Sequence, residues 1–199
     1  MKKLINILVC TTLIFINTNS FSYNSDPKLF VEELVNEALT TLSNKNISNL
    51  DKSKKIETIA IKNVDINAIG MYSLGGIRKT LDQDTIKKYN YLFQKYFLKS
   101  LTSRLSNYSE QKFEILSADQ KSEVYTIIKS KIIGSSSQPE IKINWRVYTK
   151  DPERPLIRDL VVEGLSLAKT QKEEFSSILN SNNSNINILL SKLEEFINN

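Results

Sequence analysis

The 199-residue chain has no histidine and one cysteine, Cys10. It therefore lacks the commonest general base, the Ser–His and Cys–His pairs, and the usual zinc ligands. Its formal net charge of +5 is uneven: residues 45–104 carry 12 basic and 5 acidic side chains, while residues 23–44 carry 1 basic and 4 acidic.

The chain opens MKKLINILVCTTLIFINTNSFSYN. Lys2 and Lys3 precede an apolar run from Leu4 to Ile16, and the small residues Ser20 and Ser22 follow. This pattern predicts a secretory signal cut after Ser22. The apolar run is shorter than the roughly 20 residues of a bilayer-spanning helix, so a retained anchor is the lesser reading. Cys10 lies inside the run, after Val9, which does not suit a lipoprotein signal. Residues 23–199 then form one domain with no disulfide and no thiolate, held by its core alone. Export argues against a nucleic-acid partner. The basic stretch can face anionic lipid headgroups or an acidic protein, or be a plain solvated surface.

Helices come next. In SDPKLFVEELVNEALTTLSN, residues 25–44, a capping residue and Pro27 open a segment with apolar residues at helical spacing. A second helix is predicted over 52–64. A short third helix, within VDINAIGMYSLGG, ends at Gly75 and Gly76. The strongest pattern covers residues 80–108. Thr80 and Gln83 read as a capping box, and Ile86, Tyr89, Phe93, Tyr96, Phe97, Leu101 and Leu105 form one wide apolar stripe.

From residue 111 the period changes to two. KFEIL, SEVYTIIKSKIIG, EIKINWRVYTK and PLIRDLVVEGLSL predict four strands joined by short turns, an antiparallel meander. Two helices close the chain, TQKEEFSSILNS with Thr170 and Glu173 as a capping box, and NINILLSKLEEFINN. The fold class is thus α+β: a four-stranded antiparallel twisted sheet packed against several helices.

Few groups suggest chemistry. DQDTIKKYNYLF begins like a calcium loop but lacks its central Gly and final Glu. Asp159 and Glu163 would share one face of the last strand, about 13 Å apart at about 3.3 Å per residue. Paired glycosidase carboxyls sit roughly 5–9.5 Å apart. GLS at 164–166 lacks the second Gly of a nucleophile elbow, and a Ser166–Lys169 dyad has no specific support. LVVEGLSLAKTQKEEF, residues 160–175, therefore reads as architecture. Asp159 and Glu163 face outward, Gly164 relieves crowding, and Thr170 caps the next helix.

Several segments, in order, resemble one family. They are DPKLFVEELVNEAL, VDINAIGMYSLGGIRKTLDQDTIKKYNYLFQKYFLKSLTSRLSNYS, IKINWRVY and IRDLVVEGLSLAKTQKEEFSSILN. Together they are similar to the MlaC family of periplasmic phospholipid-binding proteins, also called the toluene-tolerance family. The chain departs from it at Gly76, Ile77 and Arg78, where the family usually has aromatics, and at Arg154 and Pro155, where it often has Trp. The resemblance implies a monomeric periplasmic carrier, not an enzyme, without cofactor or metal. Its expected partners are a phospholipid, an outer-membrane lipoprotein–porin complex and an inner-membrane ABC transporter complex. A periplasmic chaperone or adaptor that binds apolar protein segments is the alternative.

The physics of such a role is simple. A diacyl lipid exposes about 30 methylenes, so stepping into bare water costs about 24 kcal/mol at about 0.8 kcal/mol each. A barrier of that size gives roughly one event per day. A carrier needs an apolar pocket between its layers that replaces the bilayer. The expected lining is Ile128, Ile132, Ile143, Trp145, Val147, Leu160 and Val162 on the sheet. On the helices it is Ile69, Leu74, Phe93, Phe97 and Leu101, the last three on the helix expected to face the sheet.

Overall fold

The computed structural model describes residues 23–105, 112–133 and 139–199. The expected signal segment, residues 1–22, lies outside them, as does most of the turn expected after residue 133. The described residues hold six α-helices and one five-stranded sheet.

Helix α1 spans Pro27–Ser43, with Pro27 in its first turn and Asp26 as its cap. The Asp26 carboxylate accepts from the Lys28 and Leu29 amides, satisfying donors that have no partner within the helix. Helix α2, Asn49–Asn63, starts earlier than predicted because Ser48 caps it by accepting from the Asp51 amide. Helix α3, Ile66–Ser73, is capped by Asp65 and followed by a 3-10 turn over Gly75–Lys79. Gly75 enters that turn at φ +62°, a conformation that costs glycine little.

Helix α4 spans Gln83–Leu105. The predicted Thr80–Gln83 box does not form: Thr80 donates to the Ile77 carbonyl, and Asp82 accepts instead from the Thr85 amide and hydroxyl. Those bonds, the backbone one foremost, hold the Asp82 carboxyl below its ordinary range. Helix α5, Leu167–Asn180, is capped by Ser166, and Thr170 lies within it. Helix α6 is Ile186–Asn198, with Asn185 as its cap.

The strands are β1 Lys112–Ser122, β2 Tyr125–Ile133, β3 Ile141–Tyr148, β4 Leu156–Val162 and β5 Leu165–Ser166, paired antiparallel in sequence order. Five strands replace the expected four because the last one folds on itself. Glu163 and Gly164 take φ of 49° and 83° between the paired Val162 and Leu165. Positive φ at both central residues is what a type I′ hairpin turn requires. Gly164 therefore makes the turn rather than relieving crowding on a continuous strand.

Two hydrophobic cores lie among the described residues. One joins α1 and α2 to the sheet around Phe30, Val31, Ile56, Ile128, Val147 and Ile157. The other lies among α3 to α6 around Ile69, Leu74, Tyr89, Phe93, Phe175 and Leu189. Half-buried Val64 and Leu101 pack against both. The helix that covers the sheet is thus α1, not the aromatic α4. The α4 rings meet Phe175 and Phe196 instead: Phe93 is edge-on to Phe175 at 6.1 Å, and Tyr96 to Phe196 at 4.8 Å. Close packing of α3 on α4 needs Gly70, where a methyl group would lie 2.7 Å from the Phe93 ring. The Tyr89 hydroxyl donates to the Gly70 carbonyl at 2.9 Å across the same contact.

Candidate functional site

Register fixes which side chains share a sheet face. Thr126, Ile128, Ser130 and Ile132 of β2 lie opposite Val147, Trp145, Ile143 and Ile141 of β3. On β4, Val162 lies opposite Ile143 and Leu160 opposite Trp145. On β1, Phe113 lies opposite Ile132 and Ile115 opposite Ser130. Successive residues alternate faces, so all seven sheet residues expected to line a pocket share one side, the side turned to α1.

That side is not uniform along its length. Ile128, Val147 and Ile157 are at most 2% exposed and packed into the α1 core. Trp145, Leu160, Phe113 and Ile115 are half-buried against the same core, together with Leu101 and Leu105 from the end of α4. Ile132, Ile143 and Val162 are half-buried and stand outside both packed clusters of described residues. The inner face thus runs from sealed core at one end to apolar side chains still in reach of solvent at the other.

Trp145 sits at the change. Its indole N–H donates to Ser130 Oγ at 2.8 Å, and that hydroxyl donates to the Ile143 carbonyl at 3.0 Å. Phe113 meets the indole edge-on at 6.1 Å. Ser130 is 1% exposed, so a hydroxyl and an indole N–H that would each be costly to bury alone satisfy one another. The spacing of alternate residues revealed the apolar face; nothing in it marked Ser130 as the partner.

The five helical residues behave differently. Ile69, Leu74 and Phe93 are buried in the core among α3 to α6, and Phe97 packs half-buried against it. Of these five, only Leu101 reaches the sheet core.

The acidic segment is resolved as architecture, by other means than its spacing suggested. Asp159 is 5% exposed rather than outward-facing. Its Oδ1 accepts from the Ala168 amide at 2.9 Å, and its Oδ2 from Ser166 Oγ at 2.5 Å and Arg146 Nη1 at 3.1 Å. One carboxylate thus ties β3 and β4 to β5 and the first turn of α5. Glu163 is exposed in the hairpin turn, where its carboxylate meets the Lys142 amide. Ser166 is committed to Asp159 and to the Lys169 amide, while the Lys169 ammonium pairs with Glu173 at 3.6 Å. The two carboxylates do not converge, and Ser166 and Lys169 do not form a nucleophile–base pair.

Two surface clefts lie elsewhere, and both carry charged side chains. One runs along α5 and is lined by Tyr72, Lys169, Lys172 and Glu173 with four Ser and Asn residues. The other lies beside the β3–β4 turn. No helix among the described residues is long and apolar enough to cross a membrane.

A family model described as MlaC protein matches residues 32–195. No curated protein matches the chain. Among solved structures, the fold matches a phospholipid-binding protein from Ralstonia solanacearum, determined in complex with a phospholipid. The TM-score is 0.72 at 14% identity, over 85% of this chain and 96% of that one.

Proposed function

Since the chain belongs to the MlaC family, we propose that it is a periplasmic phospholipid carrier, exported by cleavage of residues 1–22. It takes lipid from an outer-membrane lipoprotein–porin complex or an inner-membrane ABC transporter complex and delivers it to the other. The acyl chains lie along the inner sheet face, on Ile132, Ile143, Val162, Trp145 and Leu160, with Leu101 and Leu105 as the opposing wall. Ile69, Leu74, Phe93 and Phe97 belong to the helical core and are not part of this lining.

The observation that supports the reading best is the graded inner face. Apolar side chains left half-open beside a sealed core give hydrocarbon a surface continuous with the protein interior. A methylene fully withdrawn from water against such a surface gains about 0.8 kcal/mol, so a diacyl chain can be held without a catalytic group or cofactor. The Ralstonia protein, of the same fold, was solved with a phospholipid bound.

Transfer of a fluorescent phospholipid between donor and acceptor vesicles tests the proposal. The protein should raise transfer well above the spontaneous rate of roughly one event per day expected from a barrier of about 24 kcal/mol. Transfer no faster than in its absence, over a range of protein concentrations, overturns the carrier reading.

A further inference from the structure

At the end of the sheet away from Ile143 and Val162, residues 149–155 join β3 to β4 beside a cleft of about 390 Å³. Its walls include Lys150, Arg154 and Arg158, with Asp65, Asp151 and Tyr148. Arg158 is there because of a β-bulge. Asp159 pairs with Arg146 and Ile157 with Val147, which leaves Arg158 as the extra residue. Bulges re-aim a side chain in this way.

The guanidinium is fixed on two sides. Its Cζ stacks 3.4 Å from the Tyr148 ring centroid, and its Nε donates to Asp65 Oδ2 at 2.9 Å. Asp65 is itself held, since its Oδ1 accepts from the Ala68 amide at 3.1 Å. Both terminal amino groups of Arg158 are left without a protein partner among the described residues, and its side chain is 38% exposed. Neither Lys150 nor Arg154 pairs with a described carboxylate. Asp151 turns into its own loop, where Oδ1 accepts from the Glu153 amide. Among the side chains that line the cleft, with Asp65 paired to Arg158, two cations, Lys150 and Arg154, stand against one carboxylate, Asp151; Glu153 lies in the same loop but outside the lining.

A planar guanidinium with fixed orientation and two open N–H groups matches two oxygens of one tetrahedral anion, and neighbouring cations add attraction without demanding geometry. We propose that this cleft binds a phosphate-type oxyanion, either inorganic phosphate or the headgroup phosphate of an anionic lipid. Arg158 is the bidentate donor, and Lys150 and Arg154 supply charge. The site is separate from the apolar inner face and does not depend on the carrier reading.

The test titrates the purified protein with inorganic phosphate at low salt, followed by calorimetry. In parallel, flotation compares phosphatidylglycerol with phosphatidylcholine vesicles. Two variants are compared with the unmodified chain: the double variant Lys150→Gln/Arg154→Gln, which disturbs no described contact, and Arg158→Lys, which keeps the charge and loses the fork. Saturable phosphate binding identifies a free anion as ligand. Selective binding to phosphatidylglycerol vesicles without phosphate binding identifies the headgroup. In either case each variant should weaken binding by roughly fivefold or more, about 1 kcal/mol. If Arg158→Lys fails to fold, the double variant decides alone. Absence of both kinds of binding, or binding unchanged in the double variant, overturns the site.

Discussion

Replacing Asp159 separates a structural carboxylate from a chemical one. One of its three donors, the Ala168 amide, in a residue 7% exposed, sits where water replaces the acceptor poorly, and a second, Ser166, is the half-buried cap of α5. The third, Arg146, is 41% exposed and regains water when released, so that pair adds little. Asp159→Asn keeps one acceptor for the Ala168 amide and weakens a charge-assisted bond, a loss of about 1–2 kcal/mol. Asp159→Leu keeps the bulk but leaves that amide unsatisfied and the Ser166 hydroxyl without its acceptor, a loss of about 2–4 kcal/mol. Urea unfolding followed by circular dichroism, with a shared slope for all three proteins, reads the difference. The expected order is native, then Asn, then Leu, with lipid loading per folded molecule unchanged in Asp159→Asn. Leu as stable as Asn, or both within about 0.5 kcal/mol of the native chain, refutes the proposed role.

Other outcomes follow from other contacts. Gly70→Ala gains about 0.5–1 kcal/mol of helix propensity but overpacks against the Phe93 ring, typically at about 1–3 kcal/mol. The 2.7 Å approach and the buried ring favour the loss, so the melting temperature should fall; a rise contradicts the α3–α4 contact. Burial raises the Tyr89 phenol above its ordinary value of 10.0, so the unfolded chain gives up that proton first. Its contribution is complete below that pH and declines above it. Tyr89→Phe should flatten the alkaline loss of stability, only in part because burial raises Tyr23 and Tyr96 as well; an unchanged slope in denaturant titrations above pH 10 contradicts this. Ile143→Asn should lower lipid loading more than stability, whereas Ile128→Asn, in a residue 0% exposed, should impair folding itself. Equal effects of the two on melting temperature and on loading contradict the graded inner face.

The strand alternation was legible because a sheet residue's side follows from parity alone. Ile128, Ile132, Ile143, Trp145, Val147, Leu160 and Val162 were therefore found on one face from sequence. The stripe on α4 was legible as buried but not as to its partner. Periodicity says that Tyr89, Phe93 and Phe97 leave water; only tertiary structure says that Phe175 and Phe196, far along the chain, receive the α4 rings. Asp159 was misplaced for the same reason. Its donors come from β3, β5 and α5, and a burial that depends on three other elements leaves no mark on its own strand. The Glu163–Gly164 turn was hidden because apolar residues resume directly after it, although Leu165 breaks the parity of Leu160 and Val162 and is 69% exposed. Thr80 and Thr170 have capping-box spacing, yet Asp82 and Ser166 win because they lie at the turns where the chain enters α4 and α5.

The carrier account is tested most directly by native mass spectrometry of protein purified gently from cells, with the released ligand identified. The account predicts a complex heavier than the polypeptide by the mass of phospholipid, and reloading of the stripped protein from vesicles. Bare polypeptide on purification, together with no uptake by the stripped protein, would contradict it.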